Sequence, residues 1–230
     1  MTGEATQLVD VETRLCGEPV RLLPERAAYL PQHGALLVAD THWGKSGSMR
    51  ASGVPIPMGT QDEQLARLDS AVDRTGASRV IVLGDLFHAP AGVGDEFVER
   101  LGRRLRRIAA RFELVPGNHD LKLGVRRLGE VCRRLGFELL PAEIRVGGLT
   151  LKHEPGKRGE EAEGGYVVCG HVHPAVVLRG GGDELKLPAF HVGSARFVLP
   201  AFSGFAAGVS VRAEGGEHLF AIAGDQVVAL

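Results

Sequence analysis

Phe112-Glu113-Leu114-Val115-Pro116-Gly117-Asn118-His119-Asp120 is the stretch on which the reading of this chain turns. Its first four residues are a short, mostly apolar run of the kind that forms a buried strand. Gly117 lets the backbone turn sharply and lets a ligand come close to it. Asn118 offers a neutral oxygen to a metal, and His119 can ligate or exchange a proton near neutral pH. Asp120 can orient its neighbour or cap the helical segment that follows. Alone, the fragment equally describes a polar turn at a strand end. What separates the two readings is recurrence.

Four similar clusters stand at the ends of other strand-like runs. Gly34 to Ala39 delivers Asp40-Thr41-His42, and Arg79 to Leu83 delivers Gly84-Asp85-Leu86-Phe87-His88. Leu149 to Lys152 delivers His153-Glu154, and Tyr166 to Cys169 delivers Gly170-His171-Val172-His173. Six of the nine histidines therefore sit at strand ends, the edge of an α/β sheet where ligands usually bind. Burying so many Asp and His side chains without a metal or partners is expensive. Residues one apart on an extended chain project to the same side, so Asp40 with His42, and His171 with His173, can each grip one site.

The rest of the first half alternates these strands with helices. Leu65, Leu68 and Val72 make one helical face over residues 62–74. Phe97, Leu101, Leu105 and Ile108 make another over 95–111, and Val125, Leu128, Val131 or Cys132, and Leu135 a third over 124–135. Residues 14–16 and 19–23 read as a hairpin, and the Gly- and Pro-containing stretch 44–60 as a loop with a helical turn or two. After Gly136 the chain is mostly short strands, at 138–140, 144–146, 149–152, 166–169, 176–178, 185–192, 196–199, 218–221 and 226–230. The first half builds a sheet with parallel neighbours under helices, the second a more antiparallel sheet. The predicted fold is α/β, a two-sheet β-sandwich flanked by helices, forming a single domain over residues 1–230.

The 230 residues suffice for one large core, and 44% hydrophobic with 24% charged is ordinary for a globular protein. A formal charge of −1 gives no whole-protein field toward nucleic acid or membrane. Cys16, Cys132 and Cys169 form no CxxC pair, which fits a reducing compartment. No apolar run reaches the ~18 residues of a membrane span, and Met1-Thr2-Gly3-Glu4 opens no signal peptide. The expectation is a cytoplasmic protein.

Asp40, His42, Asp85, Asn118, His153, His171 and His173 form a mixed oxygen and nitrogen set without thiolate. Such a set suits Mn, Fe, Zn or Co and disfavours a structural zinc. Seven ligands exceed one tetrahedral ion and suit two ions sharing a carboxylate. Two ions about 3.5–4 Å apart activate water and brace the attacking and leaving oxygens of phosphoryl transfer.

In order and at strand ends, Asp40-x-His42, Gly84-Asp85-x-x-His88, Gly117-Asn118-His119-Asp120, His153 and Gly170-His171-x-His173 resemble the five blocks of the calcineurin-like metallophosphoesterases. That resemblance spans about residues 35–175 and implies the four-layer α-β-β-α sandwich with a two-metal edge. Carried over by motif, it puts Asp40, His42, Asp85 and His173 on one metal and Asp85, Asn118, His153 and His171 on the other, with Asp85 bridging. More narrowly, Leu22-Leu23-Pro24-Glu25-Arg26-Ala27, Asp40 to Lys45, Arg50 to Pro57, His153-Glu154-Pro155, Gly170 to Ala175 and Leu199-Pro200-Ala201-Phe202 are similar to the bacterial DNA-ligase-associated metallophosphoesterases. These are encoded beside a ligase, a helicase and an exonuclease. The likeness implies a manganese-dependent phosphodiesterase or endonuclease in DNA repair. The His88 block also resembles that of double-strand-break repair nucleases, where this His helps catalysis.

The expected activity is hydrolysis of a DNA phosphodiester, single-stranded DNA first, by a hydroxide bridging two Mn ions (Fe or Zn as the other choices). His119 would protonate the leaving oxygen with His88 and Asp120 near it. Lys45, Arg50 and Trp43 are the candidate substrate contacts, Trp43 either stacking on a base or packing under its loop. The run Arg100 to Arg107 reads either as a solvated helix face or as a contact for a nucleic-acid backbone. Two other activities fit the same residues: a small-molecule phosphatase or cyclic-nucleotide phosphodiesterase, and a feebly active scaffold of a repair complex.

Overall fold

Strand alternation decides which side of each strand meets helices and which meets the second sheet. In the strand Ala35–Val38, Leu36 and Val38 join a core shared with helices, whereas Ala35 and Leu37 join a core between sheets. In Arg79–Leu83, Val80 and Val82 face the helices and Ile81 and Leu83 the second sheet. This is the period of two expected of an extended chain buried on both faces. The computed structural model describes residues 8–51, 53, 60–156, 165–204, 206 and 208–230, with backbone only at Arg50, Ala51 and Thr60.

The first sheet runs β1 (Val11–Leu15), β2 (Glu18–Leu23), β3 (Ala27–Leu30), β4 (Ala35–Val38), β5 (Arg79–Leu83), β6 (Arg111–Val115) and β7 (Phe137–Leu139), in that spatial order. The pairs β1–β2, β2–β3 and β3–β4 are antiparallel, and β4–β5, β5–β6 and β6–β7 are parallel. The parallel half puts the C-terminal ends of β4, β5 and β6 on one edge, where Asp40, Asp85 and Asn118 follow.

Between these strands lie α1 (Lys45–Ala51), α2 (Thr60–Thr75), α3 (Asp95–Leu105), α4 (Asn118–Leu121) and α5 (Val125–Leu135). Leu65, Leu68 and Val72 of α2, Leu101 and Leu105 of α3, and Leu128, Val131, Cys132 and Leu135 of α5 pack into the helix-side core. Each fully buried Leu contributes about 1.5–3 kcal/mol relative to an exposed one. α3 stops at Leu105, short of the expected Arg111, because Arg111 already pairs with Arg79 as the first residue of β6. Val125, expected to face inward, is 74% exposed in the first turn of α5.

The second sheet orders β14 (Val209–Ser210), β11 (Pro174–Gly180), β12 (Asp183–Val192), β13 (Arg196–Val198), β10 (Tyr166–Cys169), β9 (Leu149–Lys152) and β8 (Glu143–Val146), with β15 (His218–Ala223) and β16 (Gln226–Ala229) joined through β12. It is less antiparallel than the sequence suggests. β9 and β10 are parallel, as are β10 and β13, so His153 after β9 and His171 after β10 leave at the same edge. Leu149, Leu151, Val168, Phe190 and Phe197 close the core against Leu37, Ile81, Leu83 and Val115 of the first sheet. The outward face of the second sheet carries Val167, Cys169 and Val198, and no described helix residue enters that cluster. No described helix is long and apolar enough to cross a membrane.

Candidate metal centre

The two sheets bring their clusters to one edge by main-chain hydrogen bonds. Asp40 N donates to Gly84 O at 3.1 Å, His42 N to Asp85 O at 2.9 Å, and Gly170 N to His153 O at 3.0 Å. Asp40, His42, Asp85, His171 and His173 all adopt left-handed backbone, with φ of 56°, 46°, 52°, 68° and 52°. Non-glycine residues in that region are uncommon, and such strain concentrates at functional sites. The same neighbourhood demands glycine. A Cβ on Gly117 would overlap Asp85 N and Oδ1, and one on Gly84 would overlap the His153 ring.

Two groups of donor atoms result. In the first, His173 Nε2 lies 3.2 Å from Asp40 Oδ1 and 3.4 Å from His42 Nε2, and His42 Nε2 lies 4.0 Å from Asp85 Oδ2. In the second, His153 Nε2 lies 3.4 Å from Asp85 Oδ1, 3.0 Å from Asn118 Oδ1 and 3.2 Å from His171 Nδ1. Asp85 thus turns one oxygen toward each group. Ligand atoms of Asp40, His42 and His173, and of Asp40, Asp85 and His153, each fall within 4.8 Å of one another.

These residues fit cations. Asp40 Oδ1 and His42 Nδ1 are buried and, among the described residues, make no hydrogen bond. His153 Nδ1 donates to Leu83 O at 2.9 Å, which points Nε2 at Asp85, Asn118 and His171. Only a proton or a metal satisfies an imidazole nitrogen facing a carboxylate and an amide oxygen. Without metal, a proton fills the place. Burial opposes the charge on His153, but the hydrogen bond and charge of Asp85, with Asp40 behind, push its pKa up to about 9. Burial drives His42 the other way, to about 3, leaving it a neutral ligand. The sites need two carboxylates, an amide oxygen and neutral imidazoles, a donor set for divalent ions of intermediate softness.

His119 stands beside both groups. Its Nε2 lies 3.9 Å from Asp85 Oδ2, and its Nδ1 donates to His88 O at 2.6 Å. The His88 ring stacks on it with centroids 5.5 Å apart and planes at 20°. Burial, then Lys45 and His119, lower the pKa of His88. Lys45 heads α1, where its charge also bears on His42, and burial lowers its own pKa. The Arg50 side chain lies outside the described residues.

Two expected site residues sit elsewhere. Asp120, with no exposed surface, takes N–H donors from Gly117 at 3.0 Å, Leu86 at 3.2 Å and Phe87 at 3.0 Å. It ties the Asp85 loop to the Asn118 turn instead of facing the site, and burial raises its pKa to about 6. Trp43 does not present its ring as a stacking platform. It is 2% exposed and meets the Phe137 ring edge-on at 6.3 Å in the helix-side core. In the basic run, Arg100 pairs with Glu96 at 3.3 Å and Arg104 with Asp62 at 3.2 Å, as a solvated helix face does.

One residue was singled out by the sequence only within a longer motif. Arg26 also has left-handed backbone, at φ 62°, and lines a cavity that reaches His173.

The chain is similar to several solved structures. Over 96% of this chain and 100% of the other, it is 29% identical to the Pseudomonas putida nuclease MPE, with a TM-score of 0.80. An Aquifex aeolicus protein is 20% identical over 60% of this chain and 78% of its own, at 0.41. The E. coli phosphoesterase YfcE is 14% identical over 83% and 88%, at 0.39. No curated protein matches. The calcineurin-like phosphoesterase family model matches residues 35–183. That segment starts at the strand delivering Asp40 and runs past His173, so it contains both donor groups and His119. The chain therefore belongs to the calcineurin-like phosphoesterase family and is a hydrolytic metallophosphoesterase.

Proposed function

We propose that this protein is a two-metal phosphodiesterase that cuts DNA, single-stranded DNA first, as an endonuclease in repair. The observation that carries the reading is the Asp85 carboxylate, with one oxygen toward His42 at 4.0 Å and the other toward His153 at 3.4 Å. Such a carboxylate is built to be shared by two cations. The likeness to a nuclease over 96% of this chain and 100% of the other favours a nucleic acid as substrate.

In this reading Asp40, His42, Asp85 and His173 would hold one ion, and Asp85, Asn118, His153 and His171 the other, with manganese first and iron or zinc as alternatives. When bound, the ions supply a nucleophile from water at neutral pH and neutralise charge on the phosphoryl oxygens. His119 supplies the leaving-group proton from Nε2, because Nδ1 is spent on His88 O. Lys45 adds positive charge beside the reacting phosphate. The setting is cytoplasmic, with a ligase, helicase and exonuclease encoded nearby as partners; Cys16, Cys132 and Cys169 are all free thiols, as a reducing compartment favours.

The test is hydrolysis of a single-stranded oligonucleotide, a cyclic nucleotide and a phosphomonoester, each with Mn and with chelator. Mn-dependent internal cleavage of the oligonucleotide is expected. Turnover of the monoester alone, or of the cyclic nucleotide alone, sinks the nuclease reading; no turnover with metals bound makes the protein a scaffold.

A further inference from the structure

A cavity of about 190 Å³ is lined by His173 together with Arg26, Lys186, Leu187, Ala201 and Ser203. It is fixed to the centre by the chain after β13, where Phe202 N donates to Ala39 O at 2.8 Å and Ser203 N to Asp40 O at 3.1 Å. Arg26 enters from the turn between β2 and β3. One nitrogen of its guanidinium, Nη1, donates to Ser203 O at 2.9 Å and to Ala201 O at 3.5 Å. Among the described residues, its other nitrogens make no hydrogen bond and no carboxylate pairs with it. The adjacent Glu25 is already engaged, by Arg74 at 2.8 and 3.0 Å and by Ser70 at 3.3 Å.

Two more cations, Arg67 and Lys186, stand near, and Glu25 and Glu63 also act on Arg67. Arg67 donates to Phe202 O, lies over the Phe202 ring at 4.6 Å, and feels the charge of Arg26. Lys186 Nζ donates to Gly208 O at 2.6 Å on the cavity wall. A half-buried guanidinium without a carboxylate, held in a left-handed backbone, is an arrangement that calls for an anion, and its planar fork suits a phosphate. The apolar part of the wall, from Leu187 and Ala201, suits the sugar or base attached to it.

We propose that this cavity is the subsite for the nucleotide next to the scissile diester, with Arg26 receiving that nucleotide's phosphate. The proposal rests on the nucleic-acid reading of the metal centre. It makes Arg26 a specificity residue: a single phosphate ester, lacking a neighbouring phosphate, forgoes this contact.

The experiment uses the Mn-loaded protein and trithymidylate substrates in which one linkage is a neutral, uncleavable methylphosphonate, at the 5′ or the 3′ position. For the wild-type protein, neutralising one of the two linkages raises KM for cleavage at the other about tenfold or more. Arg26→Ala raises KM for the all-phosphate trinucleotide by a similar factor. In that variant the methylphosphonate then adds less than about twofold, because the two changes remove one contact. Arg26→Lys recovers part of the loss, and KM for bis(4-nitrophenyl) phosphate moves far less than KM for the trinucleotide. Additive losses, an unaltered trinucleotide KM, or equal losses on the trinucleotide and the small diester overturn the subsite. A wild-type protein that cuts no trinucleotide at all removes the nuclease reading itself, which is a different failure.

Discussion

His119 is held through the main chain of His88: its Nδ1 donates to the His88 carbonyl oxygen at 2.6 Å, while the two rings only stack. The carbonyl, being purely an acceptor, fixes the proton on Nδ1 and leaves Nε2 to serve the reaction. His119→Asn should therefore lower kcat by about 100-fold or more with both metals retained. His88→Ala keeps the carbonyl and should lose much less. Paired measurements of kcat and metal content decide the matter; an H119N protein with intact kcat removes the acid assignment.

Asp85 presents one oxygen to each donor group, so its loss should disturb both sites together. Asp85→Asn keeps the shape and removes the shared charge. Bound metal, measured by elemental analysis after gel filtration, should fall toward zero from about two ions per chain. Retention of one tightly bound ion would show that the carboxylate is not shared.

In the metal-free protein the proton on His153 contributes to stability. Its folded pKa, about 9, lies above the ordinary 6.5. The folded state thus holds a proton that the unfolded chain releases, and the stabilisation is fully present below about pH 6.5 and lost as pH rises through about 9. Chelated protein should lose Tm across that window, and His153→Gln should flatten the slope. An unchanged slope in H153Q assigns the pH dependence to other groups. Metal takes the proton's place, so the loaded protein should hold its Tm over the same range.

Asp120 acts on the backbone of two loops. Asp120→Asn keeps a single oxygen for three N–H donors and brings an amide against one of them. A stability loss of about 1–3 kcal/mol is expected in chemical denaturation. KM for substrate should stay near wild type. A change confined to KM would instead put the carboxylate at the substrate.

Trp43 is a core residue. Trp43→Ala should cost about 3–5 kcal/mol of stability, as other large-to-small changes at buried aromatics do. Trp43→Phe should recover much of it. Weakened oligonucleotide binding in a fully stable W43A protein would restore the stacking role.

Much of this was legible in the sequence because the signals are local. A strand of four or five apolar residues followed at once by Asp, Asn or His is visible without coordinates, as at Val38 to His42 and Leu83 to His88. Glycine at 84, 117 and 170 marks places where backbone meets the site, and the structure puts Asp85, His153 and Asp40 against the positions their Cβ atoms would take. β3 escaped notice because Ala27-Ala28-Tyr29-Leu30 is short, fully buried and without alternation. The roles of Trp43 and Asp120 stayed open because a ring or carboxylate beside a metal ligand has the same spelling whether it faces the site or the core.

The order and chemistry of the candidate ligands, from Asp40 to His173, were determined by the sequence alone, since residue type and strand-end position are properties of the chain. Tertiary structure decided what depends on distance and conformation. It set the parallel pairing of β9 with β10 that brings His153 to His171, and the left-handed backbone at five of the seven candidate ligands. It also turned one Asp85 oxygen toward each donor group and, among the described residues, left Arg26 without a carboxylate beside His173. None of these follows from local spacing, because each is settled by contacts between residues tens to well over a hundred positions apart, where burial and packing overrule local preference.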